Sequence, residues 1–190
     1  VGMGSEFYSN FEIVKKIFKI ADEKLNYSIS KIILEGPENK LQLTKNAQPA
    51  ILTVSYSIFK VLKDEFNFDF SSFKCFAGHS LGEYSALVCS ESLDFDDALY
   101  LLHERGKAMQ EAVPKGEGAM AALISKDFGR LQDLLIEVGS LGKCQIANDN
   151  SSEQIVVSGN AKAVQKLVEI ASDFSIKKSV EKIFHIHLYF

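Results

Sequence analysis

Apolar residues recur at helical spacing near the start of the chain. Phe11, Val14, Ile17, Phe18, Ala21 and Leu25 line up as one stripe and predict a helix over residues 8–25. Ile29–Leu34 is a short apolar run closed by Glu35-Gly36-Pro37, the length of a strand or of a brief helical turn. Pro49 suits the first turn of a second helix, where its missing N–H costs nothing, and Ile51, Val54, Ile58, Val61 and Leu62 carry that helix to about Phe66. Phe73–Ala77 then reads as a buried strand running straight into Gly78-His79-Ser80-Leu81-Gly82, with a helix over 82–90 behind it. A further helix spans 94–113, opened by Asp94 and Asp97, whose carboxylates favour a helix N-terminus.

After Pro114 the pattern becomes strand-rich. Strands are expected at 119–124, 143–147, 154–158 and 176–183, with helices at 126–138 and 161–171. That order, βαββαβ, is the split ferredoxin-like arrangement. The expected organisation is therefore α/β. Residues 1–116 form part of a large lobe, 117–183 a ferredoxin-like small lobe, and 184–190 an atypical tail.

Composition narrows the function classes. With 46% hydrophobic and 24% charged residues among 190, the chain supports a packed core. A net charge of −4 argues against nucleic-acid binding, which needs a clustered basic surface. No apolar run reaches the ~18 residues of a membrane span, and no secretory signal opens the chain. Cys75, Cys89 and Cys144 are odd in number and widely spaced, which reads as three buried free thiols in a reducing cytoplasm. Nothing in the pattern calls for a metal or a cofactor, and a monomer is expected.

The chemistry concentrates at Ser80. A Gly-x-Ser-x-Gly turn between a strand and a helix holds a nucleophilic hydroxyl proud of a tight turn, where flanking glycines avoid collisions. This suggests an α/β-hydrolase-like large lobe with a parallel sheet. The helix N-terminus favours a developing oxyanion, and the Leu81 N–H is the first donor. The plain alternative is a glycine-lubricated turn without chemistry. His79 neighbours Ser80, but adjacent side chains on such a turn point apart, so it is expected to line the site and not to act as base.

Arg105 is the second clue. At helical spacing Ala98, Leu101, Leu102, Met109 and Ala112 share one apolar face, with Arg105 in its middle. A guanidinium there needs a partner, because an uncompensated buried charge costs several kcal/mol. Gly106 beside it costs about 1 kcal/mol in a helix interior, so something must approach closely. A bidentate clamp for a substrate carboxylate and a structural salt bridge both satisfy the pattern. His103 falls on the polar side of this helix and is expected to be solvated.

With these residues in place, the chain closely resembles the bacterial malonyl-CoA:acyl-carrier-protein transacylases. The resemblance rests on Gln48-Pro49-Ala50, the run Ala77–Val88, the run Arg105–Pro114, Gly118–Ala122, Asn148, Asn150 and Gln154–Gly159. It implies a ping-pong transfer of malonyl from malonyl-CoA through a malonyl-serine ester on Ser80 to acyl carrier protein, in fatty-acid biosynthesis. It further implies that Arg105 holds the free carboxylate, that Gln48 and His79 line the site, and that Asn148 and Asn150 sit at a cleft between lobes. Lys115, Lys126, Arg130, Lys177 and Lys178 are candidate docking residues for the acidic carrier protein.

The chain departs from the family at both ends. Family members carry a glycine-glutamine loop, whose Gln completes the oxyanion hole, before the segment matching Val1-Gly2-Met3-Gly4. They place the catalytic His beyond the small lobe. Here Val180–Phe190 does not match, and neither His185 nor His187 aligns with that His; an exposed edge strand is the expectation for both. The expectation is a chain truncated at both ends. A serine hydrolase or thioesterase, and an inactive fragment of the transacylase, stand as alternatives.

Overall fold

The computed structural model describes residues 1–114 and 116–178. Lys115, His185, His187 and the far half of the strand expected over 176–183 lie outside the described residues. The chain divides into two compact units, Val1–Ala108 and Met109–Phe190. Helices and a β-sheet are both present, so the chain is α/β. Among the described residues no helix is long and apolar enough to cross a membrane.

The first unit is helical: α1 (Ser5–Asn10), α2 (Glu12–Leu25), α3 (Ile29–Leu34), α4 (Glu38–Leu41), α5 (Thr44–Lys60), α6 (Gly82–Cys89) and most of α7 (Phe95–Glu111). Extended backbone at Phe11 breaks the single helix expected over 8–25 into α1 and α2. Val14, Ile17, Phe18 and Ala21 of α2 are buried, as the stripe predicts. Val14, Phe18 and Ala21 pack with Ile29, Ile33, Leu52, Leu99 and Leu102 in one core cluster, and each large side chain there contributes about 1.5–3 kcal/mol by leaving water.

Two expectations fail in this unit. First, α5 begins at Thr44, not at Pro49, so the proline sits inside the helix and has no N–H to give to the Lys45 carbonyl four residues back. This helix also buries Asn46, Gln48, Thr53 and Ser57, whose polar atoms are satisfied locally. Thr53 Oγ1 donates to the Pro49 carbonyl at 2.8 Å, and Ser57 Oγ to the Thr53 carbonyl at 2.7 Å.

Second, Phe73–Ala77 forms no strand, and all of it except Phe76 is exposed. A strand exists only with a neighbour to pair its N–H and C=O groups, and no described residue of this unit supplies one. Aromatic packing holds the segment instead. Phe70 and Phe76 lie against Phe59 of α5, with ring centroids 4.6 and 6.1 Å away, and Phe73 stacks near Phe70. Gly78 and the Ser80 turn are thereby anchored to the end of α5.

The second unit holds β1 (Gly118–Ile124), α8 (Leu131–Val138), β2 (Cys144–Ser151), β3 (Gln154–Asn160), α9 (Ala161–Ala171) and β4 (Lys177–Lys178). The sheet has the order β2-β3-β1-β4, and every described pair is antiparallel, with Ala121 opposite Val157. The apolar faces of α8 and α9, including Leu131, Leu134, Val164 and Leu167, bury the inward residues Ala121, Leu123 and Val157. The parallel sheet expected from the sequence is absent among the described residues, because the lone candidate strand has no partner there.

Candidate active site

Ser80 follows the aromatic segment and precedes α6 by two positions, with Leu81 between them. Its φ is +55°, the left-handed region that a non-glycine residue enters at a cost of about 1–3 kcal/mol. The turn is closed by three backbone bonds: Gly82 N–H to the His79 carbonyl at 2.9 Å, Glu83 N–H to Ser80 at 3.2 Å, and Tyr84 N–H to Leu81 at 3.1 Å. The Leu81 N–H stands outside that ladder at the positive end of α6. Gly78 is sterically required, since a Cβ there would lie 1.9 Å from the Gly82 carbonyl oxygen. Gly82 is not, because a Cβ on it would meet nothing within 4 Å. The expectation that both glycines relieve collisions therefore holds for Gly78 alone.

Gly106 places α7 directly on α5. A Cβ at that position would come within 2.5 Å of Lys45 Cα and 2.6 Å of the Thr44 carbonyl oxygen. The close neighbour implied by a glycine in mid-helix is thus the backbone of the first turn of α5. This approach puts Arg105, the preceding residue, beside Gln48, three residues after Lys45. Arg105 Nη1 donates to Gln48 Oε1, and Gln48 Nε2 donates to Thr44 Oγ1 at 2.8 Å, so both ends of this buried amide are engaged. Arg105 Nη2 donates to Ser80 Oγ at 3.3 Å. Ser80, Arg105 and Gln48, spread over residues 48–105, meet at one place.

The buried face of α7 in the first unit is Ala98, Leu99, Leu102 and Gly106, with Leu101 43% exposed. Arg105 consequently lies at the edge of that face and is half-buried, not at its centre. His103 is also half-buried, not solvated: its Nδ1 lies 3.1 Å from the Lys45 carbonyl oxygen and 3.5 Å from the Tyr27 hydroxyl. Burial pushes the Tyr27 phenol up to about 12, which keeps it a neutral donor to Asn46 Oδ1 at 2.9 Å. Thr44 and Tyr27 escaped the sequence reading, and His103 was expected to be solvated. The one available signal was Pro49, which has no N–H to give to the Lys45 carbonyl.

His79 is exposed and joins the turn through its carbonyl. Asn148 and Asn150 belong to β2 in the second unit, where Asn150 Nδ2 donates to Gln154 Oε1 at 2.9 Å across the β2–β3 turn. Arg130 pairs with Asp133 at 3.0 Å and lies over the Phe174 ring. The cysteines are all free, but only partly as expected: Cys75 is exposed, whereas Cys89 and Cys144 are half-buried, and burial pushes both thiols up to about 11. Among the described residues no cluster of three or more His, Cys, Asp or Glu is placed to hold a metal ion.

Known proteins share this arrangement of sequence and fold. The malonyl CoA-acyl carrier protein transacylase of Bacillus subtilis strain 168 is 43% identical over 182 residues, 95% of this chain and 56% of that protein. The crystal structure of an acyl-carrier-protein S-malonyltransferase from Bartonella henselae superposes with a TM-score of 0.87 at 44% identity, covering 93% of this chain and 56% of that one. A malonyl-transacylase in complex with its type II PKS acyl-carrier protein superposes with a TM-score of 0.86 at 34% identity, covering 96% of this chain and 60% of that one. The chain thus spans somewhat over half the length of these relatives. The model of the acyl transferase domain matches residues 1–185, and the chain belongs to that family.

Proposed function

We propose that this chain carries the acyl-accepting serine and the carboxylate clamp of an acyl-carrier-protein S-malonyltransferase, active in the cytoplasm as a monomer. The observation that carries the reading is the Arg105 guanidinium bridging Gln48 and Ser80 Oγ. A planar cation 3.3 Å from the nucleophile oxygen suits a substrate with a carboxylate close to its reacting carbonyl, which malonyl has and plain acyl groups lack. Relatives named for malonyl transfer, one of them bound to an acyl carrier protein, support malonyl-CoA as donor and acyl carrier protein as acceptor.

In the first half-reaction Ser80 Oγ bonds to the thioester carbonyl carbon, the carbon–sulfur bond breaks, and coenzyme A leaves with the serine proton. In the second, the carrier's phosphopantetheine thiol attacks the ester, the carbon–oxygen bond breaks, and Ser80 regains a proton. The Leu81 N–H is the oxyanion donor at both stages, and His79, Asn148 and Asn150 are assigned to substrate contacts. Ser80 Oγ accepts from Arg105, which donates and does not accept, so Arg105 is not the base for Ser80. We read the first unit as part of an α/β-hydrolase-like lobe with a parallel sheet, and the second as a ferredoxin-like lobe.

Acyl preference tests the clamp. Arg105→Ala is expected to cut the rate with malonyl-CoA by about 10-fold or more while leaving acetyl-CoA little changed, since a charged hydrogen-bonded pair contributes roughly 1.5–3 kcal/mol. Unchanged malonyl preference would reject the clamp and favour a hydrolase or thioesterase that needs no carboxylate partner.

A further inference from the structure

In a regular helix the Lys45 carbonyl would accept the N–H of residue 49, and Pro49 has none. His103 Nδ1 stands 3.1 Å from that carbonyl oxygen. An oxygen of this kind only accepts, so the nitrogen must carry the proton, which defines the Nδ1–H form of the ring. His103 precedes Gly106 by one helical step on α7, and the two grip the same residue: Gly106 admits the Lys45 backbone and His103 bonds its carbonyl. Arg105 lies between them on α7, and Gln48 lies between Lys45 and Pro49 on α5.

Tyr27 braces this contact from a third element. Its hydroxyl donates to Asn46 Oδ1, its ring packs against His103 with centroids 5.8 Å apart, and Asn46 Nδ2 donates to the Lys40 carbonyl at 2.8 Å. The first turn of α5 is therefore held on the side that faces α7, next to the residue that grips Arg105.

We propose that His103 is a positioning residue: by donating Nδ1–H to the Lys45 carbonyl, it sets the spacing of α7 on α5, and hence the reach of Arg105 to Gln48 and Ser80. The functional half rests on the malonyl-transfer reading above; the structural half does not.

Three variants separate the possibilities. His103→Asn keeps an N–H donor near the place of Nδ1, His103→Leu keeps bulk without the donor, and Pro49→Ala returns an N–H to the Lys45 carbonyl. In urea unfolding followed by tyrosine signals, His103→Leu is expected to destabilise, His103→Asn much less, and the effect of His103→Leu is expected to shrink when Pro49→Ala is also present. In acyl transfer, His103→Leu is expected to lose roughly three- to tenfold of malonyl-over-acetyl selectivity, the worth of one hydrogen bond, with His103→Asn restoring most of it. Nitrogen NMR of the wild-type chain is expected to find the His103 proton on Nδ1. Equal behaviour of the Leu and Asn variants, no coupling to Pro49→Ala, or a proton held on Nε2 alone would overturn the proposal. A wild-type chain that takes no malonyl refutes the malonyl-transfer reading instead, and the NMR and unfolding results still decide the positioning role.

Discussion

Gly106→Ala tests the helix contact on which the site depends. The substitution adds one methyl group at a point where its carbon would lie 2.5 Å from Lys45 Cα and 2.6 Å from Lys45 N. Ordinary carbon contacts are about 3.5–4.0 Å, so α7 and α5 must part by roughly 1 Å. The struck atoms are backbone and have no rotamer to yield, which places the cost at the upper end of the ~1–3 kcal/mol typical of overpacking. Alanine returns about 1 kcal/mol through its better helix propensity. The net expectation is a loss of about 2 kcal/mol, with Arg105 drawn away from Gln48 and Ser80.

Tyr8, Tyr27, Tyr56, Tyr84 and Tyr100 all lie in the first unit, and the chain has no tryptophan, so tyrosine near-ultraviolet signals during urea unfolding report chiefly on that unit. The midpoint is expected to fall by about 1 M urea, given slopes of roughly 1–3 kcal/mol per molar. An unchanged midpoint, or one raised by the propensity gain alone, would refute the close approach of α7 to α5.

Other outcomes follow from the same geometry. Gly78→Ala is expected to disrupt the Ser80 turn and lower acylation sharply, whereas Gly82→Ala, with open space around its Cβ, is expected to leave the fold intact; equal losses in unfolding and acylation assays would contradict the difference. Cys75 is expected to react first with a thiol reagent at about pH 8, while Cys89 and Cys144, with thiols near 11, hold only about one thiolate in a thousand there and speed up tenfold per pH unit. Timed alkylation and peptide mapping read this directly. Tyr27 titrates near 12 in the folded chain against about 10 when unfolded, so its contribution to stability is complete below pH 10 and is lost as pH rises toward 12. Alkaline unfolding of Tyr27→Phe is expected to lack that component.

Local patterns carried much of the site. The tight turn at Ser80 was readable because its left-handed backbone is closed only with a glycine at position 78. The cost of Gly106 in mid-helix announced a close neighbour, and the backbone at Thr44 and Lys45 is that neighbour. What escaped depends on tertiary partners. Phe73–Ala77 has the composition of a buried strand, but pairing and burial are properties of neighbours, and the described residues give it none. The face of α7 was misplaced because Met109 and Ala112 were averaged with Ala98 and Leu102, although the helix passes from one unit into the other at Ala108. Pro49 was read as a helix start by its missing N–H alone, whereas α5 begins five residues earlier, at Thr44.

The central claim is that Ser80 accepts malonyl because Arg105 receives its carboxylate. The most direct measurement is mass spectrometry of the chain after brief exposure to malonyl-CoA and acid quench, with the tryptic peptide spanning residues 75–105 mapped for the modified residue. The account predicts a malonyl ester on Ser80, absent from Ser80→Ala and much reduced in Arg105→Ala. No adduct, or an adduct at another residue, would contradict it and leave the inactive-fragment reading standing.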